Sequence, residues 1–378
     1  MTRPLRIFQV CSSLAWGGTE MHLPILASKL VERGHTVLAV CHPDGKIVRE
    51  TEARRIPTAT LRLGAYLSPV TTAQLVRLIR RDRPDILHLH LSRDLWQAVP
   101  AARLAGCGRV VLTKHVGSFV RKHDVLHRWL YRRVDRVLTV SDVLRQNVIE
   151  TCPIPPERVL TVHHALDIRK YDPSRCQPDA VRRELGLAPD DLVIGTVGRI
   201  TPGKGYEEFL QAGRLIRDAQ MRDGTGRGVK FLIVGNASYG EEAYYDRIVS
   251  LARDLGLGQD VIFAGYRRDI PEVLSAMDVF LFPSRAEGLG ATLIEAMAMQ
   301  RACVSTNSDG TADIIEHGVT GLTVPPGDAE AFARATLTIL RDHALQRRMA
   351  AAARRCVEKK FDLEAMTSKI ESVYESVA

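Results

Sequence analysis

No run of eighteen uncharged apolar residues interrupts this chain of 378 residues, so no membrane-spanning helix is predicted. The opening segment, MTRPLRIFQVCSS, is basic but has too short an apolar run for a secretory leader and alternates like a strand. A cytoplasmic protein is expected. Cysteine is scarce: there are seven, an odd number, with no CxxC pair. A disulfide framework or zinc site is therefore not expected, and Cys11, Cys41 and Cys303, in or beside apolar runs, read as buried thiols. No Asp-x-Asp pair stands at a strand end to clamp a metal on a diphosphate, and no GxGxxG turn marks a dinucleotide site. Low-complexity tracts and short-period repeats are missing too.

What is present is globular composition, 45% hydrophobic and 25% charged, at a length that suggests two domains. The net charge of +8 is uneven. Residues 1–172 carry 27 Lys and Arg against 15 Asp and Glu, whereas the remainder carries 25 against 29. The basic excess thus lies wholly in the first half. It reads either as a solvated face or as a surface for a polyanion or membrane.

Both halves alternate strand-like and helix-like segments. LRIFQV, TVLAVC, DILHLH, RVVLTKH and RVLTV are short apolar runs in the first; LVIGTVG, KFLIVG, DVIFAG, DVFLFP and ACVST follow in the second. Such runs suit buried parallel strands, and the amphipathic stretches between them predict doubly wound α/β sheets. GTEMHLPILASKLVERG reads as a helix ending at Gly34. A linker is expected between about Asp167 and Pro189, where prolines break the periodicity, and RDGTGRG (222–228) reads as a surface loop. Ligands of such sheets bind at the carboxyl ends of the strands.

Three strand-to-helix turns carry the chemistry. In DVFLFPSRAEGLGATLIEAMAMQ, Gly288 to Ala291 are expected to form the first helical turn, where unpaired amides favour an anion. Glu295 then lies two turns on, roughly 12 Å along the axis. Glu287 and Glu295 could hold the two ends of an extended, hydroxyl-rich diphosphate; two incidental acids on a capped surface helix are the alternative. In GTVGRITPGKGYEEFL, Arg199 and Lys204 place two cations at a sheet edge, as a diphosphate needs. Gly198 to Lys204 also fits the phosphate loop of NTPases, but Gly205 replaces the Ser or Thr that holds magnesium. CSSLAWGGTEMH puts Gly17 and Gly18 at a third such turn.

In this order the motifs resemble glycosyltransferase family four, the retaining group with the GT-B fold of two facing Rossmann-like domains and an interdomain cleft. WGGTE, GRITPGKGYEEFL, FLIVGN, VIFAGYRRDIPEVLSAMDVFLFPSRAEGLGATLIEAMAMQ, ADIIEHGVTGLTVPPGDAEAFA and FDLEAMTSKIESVYESV carry the likeness. It is nearly continuous over the second half and sparse over the first. The resemblance implies an acceptor-side domain over 1–170, a nucleotide-sugar domain over 171–360, and a helix at about 361–378 packing back on the first. It assigns Glu287 to sugar hydroxyls, Glu295 to the ribose, and Arg199 with Lys204 to the diphosphate. The amides of Gly288, Leu289, Gly290 and Ala291, with Gly17 and Gly18, would serve phosphate and sugar. Tyr266 and Arg267, in AGYRRD, are candidates for the base. His115, in TKHVG, would reach the donor sugar; a strand-end histidine is the plain alternative. The chain departs from the family at His163-His164-Ala165, where Pro-Asn-Gly is usual, and at Ala312, where proline is common.

The implied activity is transfer of a sugar from a nucleotide diphospho-sugar, UDP-linked by preference, with no cofactor, no metal and no nucleic acid. A same-face reaction is the family's usual route, in which the leaving phosphate helps accept the acceptor's proton. The basic excess centres on KHVGSFVRKHDVLHRWLYRRVDR (114–136), where Val125, Leu126, Trp129 and Leu130 could form an apolar stripe on one helix. With Arg121, Lys122, Arg128 and Trp129 it suggests peripheral contact with an anionic membrane at its inner face. The acceptor would then be a lipid-linked glycan. A small soluble acceptor and a sugar-nucleotide epimerase are the alternatives.

Overall fold

The computed structural model describes residues 3–15, 17–64, 68–106, 108–118, 120–224, 227–238 and 240–378. Trp16, Cys107, and Thr225 and Gly226 of the expected 222–228 loop lie outside them. The chain divides into two compact units, Met1–His164 with Leu363–Ala378, and Ala165–Asp362.

The first unit holds seven parallel strands: β1 (Arg6–Cys11), β2 (Thr36–Cys41), β3 (Thr58–Thr60), β4 (Ile86–Leu89), β5 (Arg109–Lys114), β6 (Val134–Thr139) and β7 (Val159–Thr161). They lie in the order β3-β2-β1-β4-β5-β6-β7. Strand alternation gives the sheet two distinct faces. Phe8, Val10, Leu87, Leu89, Val110 and Leu112 enter one apolar core with the helices Pro69–Asp82 and Leu95–Ala105. The intervening positions include Gln9, His88 and Thr113, all buried and polar. Tyr374, on the helix Leu363–Glu375, meets them there. Gln9 Nε2 donates to the Tyr374 hydroxyl at 3.1 Å, and that hydroxyl lies 2.6 Å from His88 Nδ1. An ion-pair network pins the same helix from outside: Lys29 and Arg33 both reach Glu364 at 2.7 Å, and His35 Nε2 lies 3.0 Å from Glu371.

The second unit holds six parallel strands: β8 (Leu192–Val197), β9 (Val229–Val234), β10 (Val261–Gly265), β11 (Val279–Phe282), β12 (Ala302–Thr306) and β13 (Leu322–Val324). Their order is β10-β9-β8-β11-β12-β13. Ile194, Phe231, Ile233, Leu281 and Val304 form its core with Phe209 and Ile216 of the helix Tyr206–Asp223 and Phe332 and Ile339 of the helix Ala329–Arg341. In each sheet the strand order reverses beside the first strand, between β1 and β4 and between β8 and β11. These are the switch points outside which α/β sheets bind ligands.

The stretch 167–189 is structured, not a free linker. It forms short 3-10 turns at Ile168–Lys170 and Pro173–Arg175 and the helix Pro178–Glu184, within the second unit. Prolines begin two of these elements, a position that tolerates the missing N–H. That is why a break in periodicity resembled a linker. Arg182 fastens the segment to the Pro189 and Asp191 carbonyls and the Asp278 carboxylate at 3.0–3.1 Å. Cys11, Cys41 and Cys303 are buried, and burial pushes their thiols up, Cys41 to about 12. Among the described residues no helix is long and apolar enough to cross a membrane.

Candidate active site

At the switch point of the second unit, β8 and β11 deliver two loops that interlock. The β8 loop turns back at Gly205, which caps the helix Tyr206–Asp223 in a left-handed conformation (φ 75°). A Cβ at this residue would overlap the Pro283 carbonyl at the end of β11. The Ser or Thr of an NTPase loop therefore cannot stand here. The β11 loop is tied back in turn: Arg285 N–H donates to the Gly203 carbonyl at 2.9 Å. The Arg285 guanidinium also pairs with the buried carboxylate of Glu208, Nε donating at 2.8 Å. This clasp was not legible in the sequence, because Arg285 and Glu208 are 77 residues apart.

The clasp brings Lys204 against Glu287 as a partly buried ion pair, with side chains 26% and 16% exposed. Arg199, two residues after β8, is exposed and makes no hydrogen bond or ion pair among the described residues. One cation is thus held in reserve by a carboxylate and the other is open to solvent. Tyr206, at the helix start, donates its hydroxyl to the Gly198 carbonyl at 2.9 Å and fixes the loop's floor.

The helix after Glu287 begins later than expected. It spans Ala291–Ala298, with Gly290 as its cap at φ 103°, so Gly288 and Leu289 precede it. Two features impose this start: Gly290 leaves the helical region, and Gly310 packs so closely on the Gly288 carbonyl that it has room for no Cβ. Gly310 N–H also donates to the Glu287 carbonyl at 3.1 Å. The free amides belong to the start of this helix, and Glu287 stands four residues before it rather than at one end of two turns. The 12 Å helical spacing between the glutamates does not apply.

Glu295 lies in the helix's second turn, half-buried, and accepts the Tyr171 hydroxyl at 2.8 Å. Burial pushes its carboxyl up to about 7, against the stabilising pull of that hydrogen bond. Tyr171 went unnoticed because it sits in the stretch that looked like a linker. Arg354, on the helix His343–Lys360, secures both partners by donating to the Tyr171 and Ala298 carbonyls. After β10, Tyr266 is 63% exposed. The guanidinium of Arg267 is already committed to Glu184 and Asp269, the latter at 2.6 and 2.9 Å. Only its backbone remains available.

The first unit has its own constellation. Gly17 caps the helix Gly18–Glu32 in extended backbone, leaving first-turn amides free. Glu20 stands in that turn and accepts the Ser13 hydroxyl at 2.7 Å. Beside the carboxyl ends of β1, β4 and β5, five imidazoles gather: His22, His88, His90, His115 and His164. His22 stacks on His164 with centroids 4.4 Å apart, and His115 Nδ1 lies 2.8 Å from His164 Nε2. His90 Nε2 bonds Gln9 Oε1 at 2.7 Å, and His88 Nε2 bonds Thr113 at 2.7 Å. Desolvation keeps all five neutral, lowering His88 to about 3 and His164 to about 4. His90 Nδ1 and His115 Nε2 are buried without a partner among the described residues. Buried polar atoms of this kind are costly unless a ligand engages them. His115 therefore joins a cluster that the sequence does not announce, since its members lie on four separate segments. The unusual His164 is one of its walls.

The basic segment forms a helix only over Val125–Tyr131. Val125, Leu126 and Trp129 are exposed at 78%, 60% and 38%, whereas Leu130 is core. The apolar stripe is thus three residues, flanked by exposed Arg121 and Arg128.

Comparison with known proteins follows the geometry. The family description "Glycosyl transferases group 1" matches residues 178–356, and "Glycosyltransferase Family 4" matches 16–170. The chain is 30% identical over 257 residues to the lipopolysaccharide core biosynthesis mannosyltransferase LpcC of Rhizobium leguminosarum bv. viciae, covering 68% of this chain and 69% of that protein. It is 24% identical over 327 residues to the UDP-Gal:alpha-D-GlcNAc-diphosphoundecaprenol alpha-1,3-galactosyltransferase of Escherichia coli, covering 84% and 82%. The crystal structure of Anabaena HepE in complex with UDP and glucose superposes with a TM-score of 0.85 at 23% identity, covering 98% of this chain and 100% of that one. That likeness establishes the GT-B fold. The two parallel sheets, the interlocked loops of the second and these matches lead to one conclusion: the chain belongs to the group 1 glycosyltransferases, family four.

Proposed function

We propose that this chain is a retaining, metal-independent hexosyltransferase. Its donor is a UDP-sugar, and its acceptor is a hydroxyl of a lipid-linked glycan, such as lipopolysaccharide core or a polyprenyl-diphosphate sugar. The observation that carries this reading is the switch point of the second unit, where the loop after β8 bears exposed Arg199 and brings Lys204 into a pair with Glu287, four residues before the helix Ala291–Ala298. Two cations and a helix start suit a diphosphate that gains charge as it leaves, without needing a metal to neutralise it. The E. coli relative is named for a UDP-sugar donor and a diphosphoundecaprenol acceptor, the Rhizobium one for lipopolysaccharide core.

In this mechanism Glu287 exchanges its bond to Lys204 for the donor's sugar hydroxyls, which frees the ammonium for the diphosphate. Glu295 accepts from the ribose, and Tyr266 with the Arg267 backbone borders the base. His115 Nε2, buried without a partner among the described residues, is kept for a sugar hydroxyl. The departing phosphate takes the acceptor's proton, and attack on the face it leaves retains the anomeric configuration.

A thermal-shift screen of UDP-, GDP- and ADP-sugars tests the donor, since a ligand at a hundredfold its dissociation constant stabilises by about 2.7 kcal/mol. UDP-sugars should give the largest shift. With a UDP-sugar and a polyprenyl-diphosphate acceptor, transfer should continue in EDTA and give a product of unchanged anomeric configuration. Turnover of the donor with no acceptor present would instead identify an epimerase. Loss of activity in EDTA, restored by magnesium or manganese, would overturn the metal-free mechanism.

A further inference from the structure

We propose that the first unit carries a phosphate subsite, a cavity of about 160 Å³ bordered by Ser92, Arg93, Trp96, Lys122, His127 and Tyr131, which takes a phosphate group of the acceptor. The proposal rests on the chain being a glycosyltransferase, and it adds a chemical demand on the acceptor. Three separate segments supply the cavity's polar wall. Ser92 and Arg93 come from the turn after β4, Lys122 from the loop after β5, and His127 from the helix Val125–Tyr131.

Two carboxylates stand near it, Asp94 beside Arg93 and Asp124 on His127, but neither meets Lys122. Arg93 is fixed by donating to Ser12 Oγ and the Ser12 carbonyl, both at 2.8 Å, so its position is set before any ligand arrives. Lys122 has no side-chain partner among the described residues. Lys114, which does not line the cavity but feels the charge of Lys122, ends β5 only 4% exposed, and its ammonium likewise has no hydrogen bond or ion pair among them. Burial, and then the charge of Lys122, lower Lys114 to about 8. A buried lysine without a counter-charge is expensive, and two cations in mutual repulsion compound the cost. The neighbouring carboxylates do not relieve it. Asp94 accepts from Ser12 N–H at 3.3 Å, and Asp124 caps the helix Val125–Tyr131 while holding His127 Nδ1 at 2.5 Å. An anion in the cavity meets Arg93 and Lys122 directly and offsets the repulsion that Lys122 exerts on Lys114. A phosphate has the acceptor oxygens for several such donors at once. Trp96 and His127, in edge contact at 5.5 Å, give its carbon substituent an apolar border.

The experiment uses the full chain saturated with UDP, so that phosphate cannot report from the nucleotide site. Methyl phosphate is then titrated while the His127 imidazole and the Lys114 ammonium are followed by NMR. The proposal expects saturable shifts at His127 and a Lys114 titration midpoint moved upward by phosphate. Lys122→Ala should weaken this at least tenfold, Lys122→Arg should retain it, and neither should change UDP affinity. Vesicles containing phosphatidic acid form a second arm. Response to methyl phosphate marks a phosphate reached from solution, and response to vesicles alone marks one presented at a bilayer; either supports the subsite. If neither probe moves His127 or Lys114 while UDP binds normally, the subsite is wrong and the donor reading survives. Failure of UDP itself to bind would count against the functional reading separately.

Discussion

A carboxylate that accepts from ribose hydroxyls works best ionised, yet burial holds Glu295 near neutrality, at about 7. Two expectations follow from this one residue. Glu295→Ala should weaken binding of the free nucleoside diphosphate ten- to a hundredfold, the loss of a hydrogen bond to a charged group, about 1.5–3 kcal/mol. Unchanged affinity in the folded variant would remove Glu295 from the ribose site. Its folded pKa is also raised above the unfolded one, so its contribution to stability is fully present at low pH and lost as pH rises through about 7. Glu295→Gln should therefore gain on the wild type between pH 5 and 8, by about 1–3 kcal/mol in paired denaturant titrations. A constant difference across that range would mean an ordinary surface acid. The role proposed for Lys204 falls at a different stage. Lys204→Ala should reduce turnover more than donor affinity, because the diphosphate needs its charge most as it departs. Steady-state kinetics showing only a raised KM, with kcat intact, would make Lys204 a ground-state contact.

Among the elements, the helix Val125–Tyr131 leaves Val125, Leu126 and Trp129 exposed, the face proposed to meet an anionic surface. Cations beside an anionic surface are worth about 1 kcal/mol each. Binding to anionic liposomes should be measurable at low salt, fade as salt rises, and fall sharply in Arg121→Glu/Arg128→Glu. Efficient transfer to a small soluble acceptor, with no liposome binding by the wild type, would retire the membrane contact. Elements of this size also show where sequence reading succeeds. Runs such as LVIGTV and DVFLF declared their strands because both faces of a parallel sheet are buried and apolar. Thr58–Thr60, Val159–Thr161 and Leu322–Val324 did not: each has three residues, each is at or near a sheet edge, and a Thr-Ala-Thr stretch has no pattern to read. The turns bearing Arg199, Lys204 and Glu287 stood out in the sequence because these residues flank glycines at strand ends. Tyr171, Glu208 and the histidines were not, since each gains its meaning from a partner far along the chain. The late start of the helix Ala291–Ala298 depends on Gly310, outside any window that would have revealed it.

For the whole molecule, the five imidazoles imply that the first unit is acid-labile. Their folded pKa values are depressed, so their contribution is present above about 6.5 and lost as pH falls. Asp94, raised to about 7 by burial, works in the opposite sense in the same unit. Five protons gained by the unfolded chain against one by the fold leave a slope of at most about 5 kcal/mol per pH unit, against a typical stability of 5–15. Unfolding of the first unit near pH 5 is the expected outcome. All three tryptophans lie within residues 1–164, so their fluorescence reports this unit alone. A signal flat from pH 7 to about 5 would contradict a cluster held neutral by burial.

The sharing of the first unit between residues 1–164 and 363–378 also has a consequence for synthesis. When a ribosome has made β1 to β7, the helix Gly18–Glu32 already packs on β1 and β2, but Gln9 and His88 still lack Tyr374. The nascent segment must wait while the second unit emerges, roughly 200 residues at about 5–20 per second, or about 10–40 s. Residues 165–362 carry a closed core of their own and need nothing made later. The order of maturation is therefore reversed along the chain. The later-made unit can close first, and the earlier one lacks its Tyr374 contacts until the helix Leu363–Glu375 clears the exit tunnel.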